Sequence, residues 1–480
     1  MRRSDLAIAG GAGASLFALA LAGGPAIGTG AVLGAALVAG VYLAPMAGLA
    51  LMVLAGTALQ TLGSEHITGL PLSLGKIAGA VTLLAWAARS AARRVPLSHS
   101  PQLLALAAFI AWLAVATLAA PDRALAVDGL FRYVQLALLF FMTASIAGES
   151  PRNLDRACLA VLTAMLLAAL IGFAEFYVPS MSLESDDPSL VEGMVGSIID
   201  RDSLDGVEVK RITGGMSDSN WLGYTLVGFL PLALYAFHRW RRPSARLAVL
   251  ALAGLLGAAI LLSFTRSALV AMAAAATVLL IRRRLPLLLA PAAGAAAALL
   301  VLVWNPAGIE RVFSTEYSQA GSTPLRAMLL RGGAALIAER PLSGYGHSQY
   351  GPAFMTWLAG QPAGESVADW ESNILKRVAA GEEQLEYIMP HNTVVQLWVE
   401  FGVIGVTAFA AFIWGIFRDL AVTRRFGSPH LGLLADCLAA GTTGFLVSAL
   451  FGHLMLLKLV WILGGLAVAA RRVALQETVP

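Results

Sequence analysis

The sequence predicts an all-α protein: a polytopic transmembrane helical bundle of about 12 to 14 spans with a large, partly helical loop outside the membrane. Three observations predict it. Of the 480 residues, 58% are hydrophobic and only 13% charged, where a soluble domain carries roughly 25% charge. Apolar runs of about 18 to 20 residues recur along nearly the whole chain, the length a helix needs to cross lipid. Arginine clusters recur between those runs, all on one side of the resulting topology. Within lipid the backbone must satisfy its own hydrogen bonds, so such runs read as helices.

Met1, Arg2 and Arg3 precede the first apolar run, which reads as an uncleaved first span because more spans follow at once. Spans are expected at about 5–23, 26–43, 46–63, 74–88, 102–119, 125–147 and 157–177. Four more are expected at about 220–238, 246–263, 266–281 and 286–304, and the last three at about 392–417, 431–449 and 454–470. The first three are rich in Gly and Ala, which suits close helix packing in lipid. The chain therefore divides into N-terminal helices (1–177), a first outer loop (178–219), central helices (220–304), a large outer loop (305–390) and C-terminal helices (391–480).

The basic clusters are Arg2–Arg3, Arg89 with Arg93 and Arg94, Arg239 with Arg241, Arg242 and Arg246, Arg282–Arg284, Arg424–Arg425 and Arg471–Arg472. With fourteen spans they share one side, which the positive-inside rule makes cytoplasmic, with both termini inside. Both long loops then lie outside. The first is acidic, with Glu184, Asp186, Asp187, Glu192, Asp200, Asp202, Asp205 and Glu208. The net charge of +4 reflects these loop positions and does not indicate a nucleic-acid partner. Cys158 and Cys437 fall in apolar runs and read as inert core residues, with no disulfide framework.

The large outer loop is too long for a passive connector. Residues 327–338 have helical spacing, and Pro341 stops that helix after Glu339 and Arg340. Leu342–His347 is a turn punctuated by Gly344 and Gly346. Residues 366–388 mix apolar residues and charges as a surface-lying amphipathic helix does.

Several ionisable residues stand out. Arg211, Arg266, Arg326 and Arg331 fall on the outer side, against the positive-inside bias. A guanidinium fork grips phosphate oxygens through paired hydrogen bonds and keeps its charge; the bland alternative is pairing with the acidic loops. His391 opens the span after the large loop, and neutral imidazole accepts a proton near neutral pH. A histidine at a helix start also serves as a cap or surface group, and Asn392 can cap the same helix. No metal-ligand spacing adjoins it, so no metal and no cofactor is expected. His347, in the glycine turn, reads as structural. Glu175, Glu400, Asp436, His453 and Lys458 fall inside expected spans, where ionisable groups face a cavity or one another. Glu400 is about 13 Å along the helix from His391, too far to orient it, and reads as a hydrogen-bonding residue of the bundle interior. Lys458 reads as snorkelling, or as added charge at an anion site.

Four segments together resemble the O-antigen ligase and O-antigen polymerase superfamily. They are Arg211–Asn220 before a span, Ser263–Ser267 with its Thr-Arg turn, Arg326–Leu336 followed by Arg340–Gly346, and His391–Asn392 through Glu400–Gly405. The resemblance covers about residues 205–417 in order and sidedness; the first seven spans are similar only in hydropathy. It implies a metal-independent membrane glycosyltransferase of the bacterial inner membrane, working on its periplasmic face. Its donor would be an undecaprenyl-diphosphate-linked glycan, and its acceptor a lipid A-core sugar (ligase) or a second lipid-linked glycan (polymerase). Carried over to this chain, Arg266 and either Arg326 or Arg331 hold the diphosphate, with Arg211 near the site. His391 serves as base on the acceptor hydroxyl or assists the leaving group. Both Arg326 and Arg331 match the same family position. A flippase of the same lipid-linked glycan is the non-enzymatic alternative; it requires charges along a path through the whole membrane, and here they cluster on one face.

Overall fold

The computed structural model describes residues 38–59, 74–93, 100–178, 211–216, 218–283, 322–360 and 388–478. The spans expected at 5–23 and 286–304, most of that at 26–43, most of the acidic loop and nearly all of the amphipathic segment 366–388 lie outside the described residues. Within them the fold is helical, with no strand.

The N-terminal region contributes α1 (Pro45–Gly56), α2 (Leu74–Arg93), α3 (Pro101–Ala119), α4 (Arg123–Ala147) and α5 (Pro151–Tyr177). The central region contributes α6 (Ser219–Phe229), α7 (Pro231–Arg239), α8 (Pro243–Leu262) and α9 (Arg266–Arg283). The large loop holds α10 (Ser322–Glu339) and α11 (Tyr350–Ala359), and the chain ends in α12 (Thr393–Phe426), α13 (Pro429–Ser448) and α14 (Lys458–Glu477). Helix starts obey local chemistry. Proline, which has no N–H to satisfy, opens α1, α3, α5, α7, α8 and α13. Side chains of Ser100, Asp122, Ser150, Asp218 and Asn392 cap α3, α4, α5, α6 and α12.

Among the described residues, eight helices are long and apolar enough to cross a membrane, counting α6 and α7 as one span. The expected span at 220–238 is broken at Pro231, where the helix loses a backbone donor. The expected span at 46–63 is corrected: its helix stops at Gly56 after 12 residues, short of the roughly 20 a crossing needs. The span expected at 392–417 extends to Phe426 and kinks at Gly402, whose φ is 62°.

α12 packs against α3, α13 and α14; α14 packs on α4, and α13 also receives α6, α7 and α9. Burial grades the bundle: the apolar windows of α13 and α14 are 83% and 78% buried, that of α8 only 28%. The α6–α7 span is also 78% buried, so α13, α14 and α6–α7 form the centre and α8 the rim. Cys158 and Cys437 are buried free thiols.

The arginine clusters meet buried carboxylates at one end of the bundle. Asp436 lies 3.1 Å from Arg282, 2.6 Å from Arg283 and 3.6 Å from Arg424. Asp419 accepts from the Ser100 hydroxyl at 2.6 Å and pairs with Arg471 at 3.5 Å. Isolated carboxylates in lipid are costly, and these partners remove the cost. At the other end, α10, α11 and the first turns of α12 form a separate apolar cluster around Leu329, Leu336, Tyr350, Phe354, Ile388 and Val399. Of these elements, sequence periodicity leaves α11 unpredicted.

Candidate functional site

His391 sits where the large loop enters α12. Its φ is 48°, a left-handed backbone uncommon outside glycine. Asn392 and Thr393 over-determine that geometry. The Asn392 side chain accepts from the N–H groups of Val394 (3.0 Å) and Val395 (3.1 Å) and donates to the Leu450 carbonyl (3.1 Å). The Thr393 N–H donates to the Ala449 carbonyl at 2.8 Å. Its hydroxyl donates to the Gly452 carbonyl (2.7 Å) and accepts from the Leu454 N–H (2.9 Å). The start of α12 is thereby stitched to the α13–α14 connection.

That connection carries His453, which is corrected from a span residue to a turn residue. Its ring meets the His391 ring at 5.6 Å and the Trp221 ring of α6 at 5.6 Å, both edge-on. His391 is buried. Burial, the nearby Arg326 charge and His453 hold its pKa well below the ordinary histidine value. The imidazole is therefore neutral at neutral pH, the form able to accept a proton.

α6 joins this histidine pair to the Arg266 turn. The Tyr224 hydroxyl lies 2.6 Å from the Ser267 hydroxyl, next to Arg266 at the start of α9. A side-chain carbon at Gly452 would sit 2.9 Å from the Tyr224 ring, so glycine lets the two elements meet. Arg326 and Arg211 are electrostatic neighbours of the same tyrosine. Arg326 thus acts on both His391 and Tyr224, while Arg331, one and a half turns later, is exposed.

Arg211 has a structural task. Its guanidinium donates to the Ser263 carbonyl (2.9 Å), Asn220 Oδ1 (2.9 Å) and the Thr265 hydroxyl (3.2 Å). These three neutral partners clamp the entry of α6 to the turn before Arg266. Phe264 in that turn has φ 46°. The adjoining Thr213-Gly214-Gly215 segment wraps a carboxylate. Glu175 accepts from the Thr213 N–H (2.7 Å) and hydroxyl (3.0 Å) and from the N–H groups of Gly214 (3.0 Å) and Gly215 (3.2 Å). Both glycines have positive φ, the conformation that turns successive N–H groups toward one anion.

The glycine turn of the large loop docks at the α12 kink. Tyr345 and Gly346 donate N–H groups to the carbonyls of Val399 (2.9 Å) and Glu400 (2.7 Å), and Val403 donates to Pro341 (2.9 Å). The Trp398 indole also donates to Pro341 (3.1 Å), and the Trp112 indole caps the Phe401 carbonyl (2.8 Å). The kink frees these carbonyls, and the turn and Trp112 satisfy them.

Residues 251–410 match the Wzy_C family, described as O-Antigen ligase. This stretch is similar to the O-antigen ligase family. No curated protein matches the chain. The O-antigen ligase match holds the Arg266 turn, α10, the glycine turn and the His391–Gly402 segment. Arg211 falls outside it.

The matched stretch thus brings His391 and Arg326 into one neighbourhood, and Tyr224, outside that stretch, links them to the Arg266 turn. Trp221 and Tyr224 were not legible as site neighbours, since nothing in an apolar helix marks the face that meets a turn from another region. His453 was visible only as an ionisable residue. Lys458 lays its stem over Gly56 of α1, its Cδ 2.7 Å from where a side-chain carbon there would stand. Among the described residues, no group of three or more His, Cys, Asp or Glu is placed to hold a metal ion.

Proposed function

We propose that this protein is a membrane glycosyltransferase that moves a glycan from undecaprenyl diphosphate to an acceptor hydroxyl, of the ligase type, with a lipid A-core sugar as acceptor. The observation that carries the reading is His391: buried, neutral at neutral pH, and within the field of Arg326. Sidedness supports it. His391 lies two residues before α12 and the Arg424–Arg425 cluster ends it, so the histidine lies at the end away from the basic clusters. By the positive-inside rule that end is periplasmic and both termini are cytoplasmic.

In this mechanism Arg266 and Arg326 bind the diphosphate, with Arg331 at the outer edge of the loop helix. The departing diphosphate gains negative charge as the glycosidic bond breaks, so fixed guanidiniums favour the transition state over the bound donor, without a metal ion. Neutral His391 takes the proton of the acceptor hydroxyl as its oxygen attacks the anomeric carbon. Arg211 supports the Arg266 turn.

Purified protein in liposomes, given lipid-linked donor and acceptor, tests the reading through glycan transfer. His391→Ala is expected to abolish transfer while donor binding persists, and Arg266→Ala to weaken donor binding. Full transfer by His391→Ala removes the catalytic role. The family match supports repeat-unit polymerisation equally, with a second lipid-linked glycan as acceptor. A deletion strain separates the two: long glycan left on the carrier identifies a ligase, single repeat units a polymerase.

A further inference from the structure

A cavity lies at the opposite end of the bundle from His391. It is about 620 Å³ and is lined by Arg239, Trp240, Arg241, Arg242, Ala245 and His430. These come from the end of α7, the turn into α8 and the first turns of α8 and α13.

The charges there are unequal. Arg239 is held by Asp155 at 2.9 Å, and the same carboxylate accepts from the Tyr235 hydroxyl. Arg241 and Arg242 are exposed, and among the described residues no carboxylate forms an ion pair with either. Two helix N-termini, of α8 and α13, open onto the same space and add positive potential. The cavity is therefore built for an anion.

Its surroundings point to a lipid. α8, which begins at the cavity, is the least buried of the eight spans. Leu247 and Leu250, in its first two turns, are 69% and 57% exposed. Trp240, which lines the cavity, has the amphipathic ring that settles at headgroup level. A phosphate placed between Arg241 and Arg242 would leave its acyl chains beside the apolar surface of α8, where a soluble anion would gain nothing.

We propose that this cavity binds the headgroup of an anionic phospholipid, with Arg241 and Arg242 gripping its phosphate. Basic pockets between spans on the positively charged face of a membrane protein recognise lipid headgroups in this way. The site is separate from the transfer site and does not depend on the transferase reading.

Native mass spectrometry of the full chain in neutral detergent tests it, with phosphatidylglycerol, phosphatidylcholine and inorganic phosphate as probes. Phosphatidylglycerol is expected to bind in preference to phosphatidylcholine. Arg241→Gln with Arg242→Gln is expected to weaken that binding roughly thirtyfold, the scale for two arginines at an anionic surface. Each single variant should give an intermediate loss, and unfolding temperature in the same detergent should match the parent. Equal binding of the two lipids, or unchanged binding by the double variant, overturns the proposal. Displacement of phosphatidylglycerol by millimolar inorganic phosphate overturns the lipid assignment in favour of a free-anion site.

Discussion

Nδ1 of His347 lies 3.0 Å from Oε2 of Glu400, with both side chains buried. The bond ties the glycine turn of the large loop to α12 at the kink. The Tyr133 ring closes over the histidine at 5.0 Å, and Gly129 leaves the room it needs. Truncating one partner of a buried hydrogen bond leaves the other unsatisfied, which costs about 1–3 kcal/mol. His347→Ala and Glu400→Ala are each expected to lower stability by that order, and the double variant by much less than the sum. Chemical denaturation of the four proteins gives the coupling; strictly additive losses would show that the pair does not act as a unit.

The depressed pKa of His391 sets a pH dependence. Lowering a histidine's pKa keeps it neutral to lower pH, so the acid limb of kcat/KM should fall below the ordinary histidine range of about 6.5. Burial is the larger cause and the Arg326 charge the next. Arg326→Gln should therefore move the limb upward, toward but not to the unperturbed value. Transfer rates measured across pH 4 to 8 in both proteins provide the check, and a limb that stays put or moves down contradicts this geometry.

Gly402 has no room for a side chain. Its φ is 62°, and an added carbon would stand 2.0 Å from the Leu342 carbonyl oxygen. Gly344, facing it from the turn, has φ 70° and would place a carbon 2.5 Å from the Glu400 backbone. The left-handed backbone alone costs an L-residue about 1–2 kcal/mol, and the contact adds to it. Gly402→Ala is expected to undock the turn while leaving the rest of the bundle intact. Limited proteolysis should then cut near residues 341–347 faster than in the parent; equal protection would show that the kink tolerates the methyl group.

Much of this was legible because lipid imposes strong rules. Apolar run length located the eight long spans among the described residues, and Pro341 marked the end of α10 to within two residues. Glu400 was legible as a residue that could not reach His391, because helix rise alone excludes it. Its partner was not legible: His347 is 53 residues earlier in sequence, and only the docked turn brings it in. The kink at Gly402 was hidden for a related reason, since an apolar run continues straight through it. Glu175 showed the same limit. Its place in a span marked it as costly, but the Thr-Gly-Gly wrap that relieves the cost comes from beyond the acidic loop. Local pattern finds the element, while the pairing of distant polar groups depends on packing that pattern does not contain.

Arg326 and Arg331 both fit one position by sequence, and their surroundings separate them. Arg326 is half-buried and its charge reaches both His391 and Tyr224, whereas Arg331 is exposed on the loop helix. A guanidinium that already acts on the candidate base also lies where a diphosphate leaving group must lie if that base serves the acceptor. An exposed arginine is screened by water and salt and contributes little to such a site. Arg326→Ala is expected to reduce kcat/KM for transfer by about 10²-fold or more, the scale of losing one charge-stabilising donor. Arg331→Ala should stay within about threefold of the parent, as surface charge changes commonly do. The comparison needs both variants reconstituted at equal protein density with the same lipid-linked donor. A larger loss for Arg331→Ala than for Arg326→Ala would reverse the assignment and move the diphosphate outward along α10, away from His391.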